Sequence, residues 1–414
     1  MGDDGIFLGV GDGGDVSTSA ERSALVIGPS RSGKTTSLII PNLLVTSRAV
    51  VSTSTKSDVI SIVSARRRDV TSLLFDPSGE TSLPSGVRRV GYSPLRASRD
   101  WDRAVLVTRT LVAAARDKVA AAHDHWTERA TALVAPLLHA HAIRGSSLAD
   151  VANAIDRRDG AGSFEELRDR YGDEHPAPTT LAGVLATEAR EQSGIWSTAA
   201  GLFAGLRTTA ARDASAAPPL DILSLLEGAH HLHIVAPRRH QAVVAALVVS
   251  LIDEVVDHAY RRHPDPPGLL LALDELANIA PVPDLAAIVT EGGGQGVLTL
   301  ACLQDLSQAR QRWGGLGESF VSLFPTTVVL PGVADRPTLD LIATLGGRQT
   351  VPGHTVQRTR RRRLRGHSTA WHERERLAAG DVAHGRAGFA LTIGPHKAAS
   401  WTRLVPYFED SRFA

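Results

Sequence analysis

The chain has 414 residues, which is long enough for two or three domains with a well-buried core. Its 45 basic and 44 acidic residues give a formal net charge of +1, so overall basicity cannot argue for nucleic-acid binding and any such contact needs a local patch. The single cysteine excludes an internal disulfide, and the lack of a signal peptide or a long apolar run predicts a globular chain without a transmembrane segment.

The first 97 residues alternate apolar runs with helix-compatible segments. Strands are predicted at residues 6–9, 24–27, 49–52 and 72–77, and helices are predicted after the second and third of these strands. Strands that alternate with helices in this way indicate a parallel sheet with crossover helices.

The pattern changes near residue 98, after which strand signals are almost absent as far as residue 212. Helical periodicity is found there at residues 103–122, 125–143 and 179–209. We therefore predict an all-α domain at residues 98–216, inserted into an α/β domain that is built from residues 1–97 and 217–414.

Strand signals return in the last part of the chain. Strands are predicted at residues 231–236, 269–275, 297–303, 326–330 and 387–393, with a helix at residues 240–262. The fold class predicted for the larger domain is α/β, with a mostly parallel central sheet.

One loop carries a specific phosphate-binding pattern, G-x-x-x-x-G-K-[ST], between a predicted strand and a predicted helix. It reads Gly28-Pro29-Ser30-Arg31-Ser32-Gly33-Lys34-Thr35, followed by Thr36. Backbone N–H groups of such a loop surround a polyphosphate, and the helix N-terminus points at the same charge. Lys34 would reach the β- and γ-phosphates of ATP, and the Thr35 hydroxyl would bind Mg²⁺. The alternative is a chance match in a Gly/Ser-rich loop.

Two acids, Asp274 and Glu275, end the most apolar predicted strand. At that position Asp274 would hold Mg²⁺, and Glu275 would polarise the water that attacks the nucleotide. The alternative is an aspartate that caps a helix at an ordinary strand–helix turn.

Three further polar residues follow predicted strands, at the edge where ligands of open α/β sheets collect. Gln304 would sense the γ-phosphate or orient water, unless it is a solvated residue at the start of a helix. Lys56 and Asp76 are either part of the site or ordinary turn residues, and the sequence does not decide between these readings.

The one dense basic run, at residues 358–365, contains six arginines. It could contact the phosphates of a nucleic acid, but a solvated loop is the more common role of such a run. The histidines have no spacing typical of a zinc site. His230, His231 and His233 enter a predicted core strand and are expected to be structural.

These motifs together resemble the TraG/TraD-type coupling ATPases of conjugation and type IV secretion, relatives of the FtsK-like DNA pumps. The matching stretches span nearly the whole chain, and two of them are specific to this group: Pro41-Asn42-Leu43-Leu44 after the phosphate loop and Ala277-Asn278 after the Asp-Glu pair. The others are residues 5–9, 54–56, 76–79 and 92–95, Trp126, Gln304 with Ser307-Gln308, and residues 312–314.

The resemblance implies a RecA-like P-loop motor domain with ATP and Mg²⁺ as cofactors, and an inserted all-α domain that docks the substrate. It also implies that the chain assembles into a ring-shaped hexamer. We expect the free protein to be monomeric. Implied partners are DNA, single-stranded and carried with a relaxase, and a type IV secretion channel or a separate membrane-anchored protein. The expected location is cytoplasmic, with peripheral contact at the inner face of the cell membrane.

Two departures from the family pattern matter. Family members usually begin with membrane-spanning helices, whereas this chain begins where the motor domain would begin. The family often has Glu-Gly-Arg after the Asp-Glu strand, with the arginine reaching into a neighbouring subunit, and this chain has Glu291-Gly292-Gly293. Arg310 and Arg312 are candidate substitutes, and the sequence does not select between them.

Two functions remain open at this stage. One is a coupling ATPase that hydrolyses ATP and drives DNA, or a relaxase–DNA complex, to a secretion channel. The other is a nucleotide-gated platform that recruits substrates with little or no ATP turnover. Lys34, Asp274, Glu275 and Gln304 favour the first, and Gly293 favours the second.

Overall fold

The structure is a computed structural model that describes residues 5–115, 124–358, 364–394 and 399–413. Within these ranges the strands are β1 (Phe7–Gly11), β2 (Gly14–Ser17), β3 (Ala24–Ile27), β4 (Ala49–Ser54), β5 (Ser72–Phe75), β6 (Arg88–Arg89), β7 (His231–Val235), β8 (Leu269–Leu273), β9 (Val297–Leu303), β10 (Thr326–Val329), β11 (Arg348–Arg358), β12 (Leu364–Glu375), β13 (Phe389–Ile393) and β14 (Ala399–Arg403).

The helices of the first half are α1 (Ile40–Val45), α2 (Asp58–Arg66), α3 (Trp101–Ala114), α4 (Asp124–Arg144), α5 (Leu148–Arg157), α6 (Ala161–Tyr171), α7 (Pro176–Leu185), α8 (Ala189–Leu202) and α9 (Thr209–Ala216). Those of the second half are α10 (Ile222–Glu227), α11 (Gln241–Arg262), α12 (Leu276–Ile279), α13 (Leu285–Glu291), α14 (Leu306–Trp313), α15 (Gly315–Glu318), α16 (Phe320–Leu323), α17 (Arg336–Leu345) and α18 (Ala379–His384).

Twelve of the described strands form one sheet, in the order β2-β1-β14-β13-β10-β3-β9-β8-β4-β7-β5-β6. The eight strands from β10 to β6 are parallel to one another. The four strands at the other end are antiparallel. This mostly parallel sheet confirms the predicted fold class.

Most of the parallel strands are buried along their whole length, and β3 and β8 are continuous apolar runs in the sequence for that reason. Along β3, Leu25 and Ile27 point into one core, together with apolar residues of α11. Ala24 and Val26 point into the other core, together with apolar residues of α1 and α2. The sheet is therefore the middle layer between two layers of helices.

Every regular element that the structure describes within residues 101–216 is a helix. The predicted helical segment at residues 179–209 is divided between α7, α8 and a 3₁₀ turn at Ala204–Arg207. The segments that lead into and out of this helical region are neighbours. Gly91 N donates to Pro218 O at 2.7 Å, and Leu220 N donates to Gly91 O at 2.9 Å. An inserted segment requires adjacent ends of this kind, and the domain boundaries at residues 98 and 216 stay a prediction.

Several elements were not predicted from the sequence. They include the edge strands β2 and β6, the strand β14 between β1 and β13, and the separate two-stranded ribbon formed by β11 and β12. The ribbon contains only the two ends of the basic run, Arg358 on β11 and Arg365 on β12, and residues 359–363 between them lie outside the described residues. None of the helices in the described ranges has both the length and the apolar character needed to cross a bilayer.

Two histidines of β7 are buried in the middle of the sheet, His231 at 0% and His233 at 2% exposure. His233 Nδ1 lies 2.8 Å from the Ser52 hydroxyl, whereas neither ring nitrogen of His231 has a hydrogen-bond partner among the described residues. Burial lowers the pKa of His233 to about 3 and places the pKa of His231 well below its usual value. Both rings are therefore neutral packing groups, in keeping with the structural role expected for them.

We predict that stability falls as the pH drops below about 6.5, the pKa of an unfolded histidine. The unfolded chain gains protons there that the buried rings do not accept, so each ring costs about 1.4 kcal/mol for each pH unit until its folded pKa is approached. Urea unfolding of His231→Phe between pH 7.5 and pH 5 should give a shallower pH dependence than the unchanged protein. The exposed His125→Phe serves as the control, and identical slopes for His231→Phe and the unchanged protein would contradict the assignment.

Candidate phosphate-binding site

The phosphate loop lies at the carboxyl edge of the sheet, between β3 and a helical segment at residues 35–45. The first part of that segment, Thr35–Ile39, is a π-helical turn that continues into α1. Gly33 has φ +95°, a left-handed conformation that glycine adopts without strain. A Cβ atom on Gly28 would lie 2.8 Å from Ser32 Oγ and 2.9 Å from Leu330 Cβ. Both glycines of the motif are thus required by the shape of the loop.

Lys34 is the central cation of this loop. Its ammonium donates to Gly28 O at 2.6 Å and to Pro29 O at 2.8 Å, and the residue is only 7% exposed. An ammonium has three N–H donors, so these two bonds leave one for a ligand. The buried Ser32 hydroxyl has no hydrogen-bond partner among the described residues. An unsatisfied buried hydroxyl is costly, and a phosphate oxygen would supply its missing partner.

The predicted metal ligands are in direct contact. Thr35 Oγ1 donates to Asp274 Oδ2 at 2.7 Å, although β9 separates their strands in the sheet. Burial raises the pKa of Asp274, and the Thr35 hydrogen bond and the charge of Lys34 partly oppose this effect. A hydroxyl and a carboxylate are oxygen ligands of the kind that Mg²⁺ takes. The pair therefore fits a divalent cation, whose positive charge would stabilise the ionised Asp274.

Glu275 has a strained backbone, with φ +55° and ψ +42°. This left-handed conformation costs a residue with a Cβ about 1–2 kcal/mol. The turn places the half-buried carboxylate at the sheet edge, where it accepts from Asn278 Nδ2 at 3.1 Å. Glu275 precedes α12 and makes no capping bond with its side chain, and the backbone N–H that Asp274 accepts, at 3.1 Å, is that of Glu275 and not one of α12, which disfavours the helix-capping alternative. Strain of this kind is concentrated at functional sites.

The other polar residues at the strand ends divide into two groups. Gln304 follows β9 and lies in one cleft with Glu275, and Lys56 follows β4 and lies beside the phosphate loop. Asp76 is instead a turn residue, because its buried carboxylate accepts from the N–H groups of Ser78, Gly79 and Thr81 at 2.9, 3.1 and 2.7 Å. Burial opposes ionisation of Asp76, but the bonds from Ser78 and Thr81 outweigh it and lower its pKa.

Two clefts meet at this edge. The first has a volume of about 410 Å³ and is lined by the phosphate loop, Lys56, Asp58 and the Asp-Glu pair. The second has a volume of about 670 Å³ and contains Gln304, Gln308, Arg238 and Arg312. The clefts share Ser30, Thr55 and Glu275, so they are continuous. Arg238 was missed by the sequence analysis, although its position shortly after β7 places it at the same edge.

The positions considered for a catalytic arginine have different surroundings. Gly293 packs against the backbone, and a Cβ atom there would lie 1.9 Å from Glu21 O. Arg310 is held by Asp335, with its Nη2 at 2.9 Å from Asp335 Oδ2. Arg312, in contrast, lines the second cleft together with Glu275. Among the two suggested substitutes, the structure thus places only Arg312 at the site.

Comparison with known proteins relates this architecture to one family. The family described as "Type IV secretory system Conjugative DNA transfer" matches residues 4–377. The fold is similar to the "Bacterial conjugative coupling protein TrwBdeltaN70" in its unbound form, with a TM-score of 0.72 and 18% identity over 98% of this chain and 89% of that chain.

Two other solved structures are similar. TrwB in complex with ADP and Mg²⁺ has a TM-score of 0.68 and 20% identity over 95% of this chain and 88% of that chain. VirB4 of Thermoanaerobacter pseudethanolicus has a TM-score of 0.50 and 12% identity over 98% of this chain and 96% of that chain. No curated protein sequence matches this chain significantly.

We predict that position 293 tolerates no side chain. Gly293→Ala should destabilise the protein by about 1–3 kcal/mol, because the added methyl group overlaps the Glu21 carbonyl. Gly294→Ala is the matched control, since a Cβ there meets no atom within 4 Å. Thermal unfolding of the two variants measures the difference. Equal unfolding temperatures would show that the Glu21 segment moves away easily and that position 293 is open to a side chain.

Proposed function

The chain belongs to the Type IV secretory system conjugative DNA transfer family, and from that premise we propose that it is a coupling ATPase. It would bind ATP with Mg²⁺, hydrolyse it, and use the energy to move DNA or a relaxase–DNA complex to a secretion channel. The observation that carries the ATPase part is the contact of Thr35 with Asp274 beside the strained Glu275.

Different residues of the first cleft would bind different parts of the magnesium–nucleotide complex. The loop N–H groups between Gly28 and Thr36 would surround the phosphates, and Lys34 would neutralise charge on the β- and γ-phosphates. Thr35 and Asp274 would hold Mg²⁺, which neutralises further negative charge on the nucleotide. Similarity to TrwB, whose structure contains ADP and Mg²⁺, supports this choice of ligands.

Glu275 and Gln304 would act on the water that attacks the γ-phosphate. The Glu275 carboxylate would hold this water by a hydrogen bond and accept its proton as the new P–O bond forms. Gln304 can orient the same water or contact the γ-phosphate with its amide, because it lies in the cleft that shares Glu275 with the phosphate loop. Asn278 holds the Glu275 carboxylate and thereby fixes its direction.

For the cargo and the assembly we propose the partners that the family suggests. The cargo would be single-stranded DNA with its relaxase, delivered to a secretion channel or to a membrane-anchored partner at the inner face of the membrane. The nucleotide clefts are open, and a neighbouring subunit in a ring-shaped hexamer would cover them. Polar surfaces bridged by nucleotide associate weakly, so the free protein would be monomeric.

A second function is favoured by the surroundings of Gly293. Because that position has no room for an arginine, a site that needs one there would turn over slowly. The protein would then be a nucleotide-gated platform that recruits substrates with little or no ATP hydrolysis. The two functions differ in a measurable quantity, the steady-state rate of phosphate release with and without DNA.

We predict ATP turnover that increases with single-stranded or double-stranded DNA. Glu275→Gln should lower turnover about 100-fold or more while leaving ATP bound, because only the water-activating group is changed. Lys34→Ala should abolish turnover and also weaken nucleotide binding, because Lys34 contacts the phosphates before any reaction occurs. Phosphate release and equilibrium nucleotide binding are the two measurements.

Glu227→Gln, an exposed acid at the end of α10, is the control for the loss of one carboxylate. Normal turnover in Glu275→Gln would remove Glu275 from its proposed role. Phosphate release at background level in the unchanged protein, both with and without DNA, would reject the ATPase in favour of the recruitment platform.

A further inference from the structure

The last described segment of the chain, residues 404–413, lies against the helix that follows the phosphate loop. We call this segment the C-terminal strap. Its backbone joins the loop directly, because Tyr407 N donates to Thr36 O at 2.9 Å. Leu404, Val405 and Phe413 are each 9% exposed or less, so the strap is part of the packed structure at both ends.

The sequence explains why Thr36 O is available to the strap. In the π-helical turn, Ile40 N donates to Thr35 O, five residues earlier. The next donor in this register would be residue 41, which is proline and has no N–H. Residue 41 therefore cannot donate to Thr36 O, and the N–H of Tyr407 donates to it instead. Pro41 therefore creates the attachment point of the strap beside the phosphate loop.

Several side chains hold the strap in place. The Arg66 guanidinium of α2 lies 4.8 Å from the centre of the Tyr407 ring. Arg412 pairs with Asp15 and Asp410, and the Phe413 ring is 5.7 Å from the Phe7 ring. Phe7 is itself fixed to α1, because its N–H and C=O both bond to the Asn42 amide at 2.8 Å. The strap is thus tied to the helix of the phosphate loop at both ends.

Phe408 is the exposed one among the apolar residues of the strap, with 63% of its surface accessible. It lies in a tight turn in which Glu409 N donates to Pro406 O at 2.9 Å. Its ring is nearly perpendicular to that of Tyr407, at 84° and 5.2 Å between centres, so the two rings are in edge-to-face contact and are not stacked. Backbone dimensions place the Cα of Phe408 within about 8 Å of the Thr36 carbonyl oxygen.

We propose that Phe408 is the surface on which the base of the bound nucleotide stacks. The inference rests on the proposed function and adds the base-binding part of the same site. The terminal phosphate belongs at Thr35, Asp274 and Glu275, so the base must leave the loop at its other end. Thr36 follows Thr35 in the same π-helical turn, and its carbonyl oxygen holds the strap. A flat base would cover the ring that is now exposed to water, and such stacking tolerates any base because each has a π-face.

The test compares two ligands that differ in having a base. Equilibrium binding of a non-hydrolysable ATP analogue and of inorganic tripolyphosphate, each with Mg²⁺, is measured by calorimetry. Phe408→Ala should weaken binding of the analogue by roughly tenfold or more, the value of one stacking contact, and should leave tripolyphosphate binding within about twofold. Phe408→Trp should retain the affinity for the analogue because it retains a stacking surface.

Trp371→Ala, which truncates another exposed aromatic residue on the separate β11–β12 ribbon, should change neither affinity. An equal loss for both ligands in Phe408→Ala would mean that the ring only supports the loop, and no loss for either would mean that the base binds elsewhere. Both results would overturn the inference and leave the phosphate site intact. If the unchanged protein binds neither ligand, the proposed function itself fails and the inference fails with it.

Discussion

The hydrogen bond from Thr35 to Asp274 is the contact on which the rest of this structure depends. It joins residues that are 239 positions apart in the chain, across one intervening strand. The bond can form only if the sheet places β3, β9 and β8 side by side and in parallel, so that their carboxyl ends meet at one edge. The buried apolar strands and the helices on both faces of the sheet fix the position of that edge.

The cost of this arrangement is concentrated in a few residues. Asp274 is a buried carboxylate whose pKa is raised by burial, Glu275 has a left-handed backbone, and Ser32 has a buried hydroxyl without a partner among the described residues. Each feature would destabilise a protein that had only to fold. A magnesium–nucleotide complex would relieve two of them, because it brings positive charge to Asp274 and phosphate oxygens to Ser32. The same groups that lower the stability of the protein without ligand would therefore bind the magnesium–nucleotide complex.

The features that could be predicted from the sequence are those set by a local pattern of residues, such as the buried strands. The bounds of β9 and of the strand that leads into the phosphate loop were correct to the residue, because both strands are fully buried and almost entirely apolar. The β11–β12 ribbon was missed because its residues are polar and basic and carry no core-forming periodicity. The contact of Gly293 with Glu21 and that of Tyr407 with Thr36 could not be foreseen, since both join backbone groups distant in sequence. The sequence left open whether Asp76 belongs to the site or to a turn. The structure shows that its carboxylate accepts from nearby backbone N–H groups, so it is a turn residue.

The most direct test of the central claim is the effect of Mg²⁺ on nucleotide affinity in the unchanged protein and in Asp274→Asn. The asparagine keeps the size of the side chain and an oxygen that can accept from Thr35, but it removes the negative charge that would favour a divalent cation. If Thr35 and Asp274 form the metal site, removal of Mg²⁺ with a chelator should weaken nucleotide binding by roughly tenfold in the unchanged protein and by much less in the variant. An equal dependence on Mg²⁺ in both proteins would contradict the account.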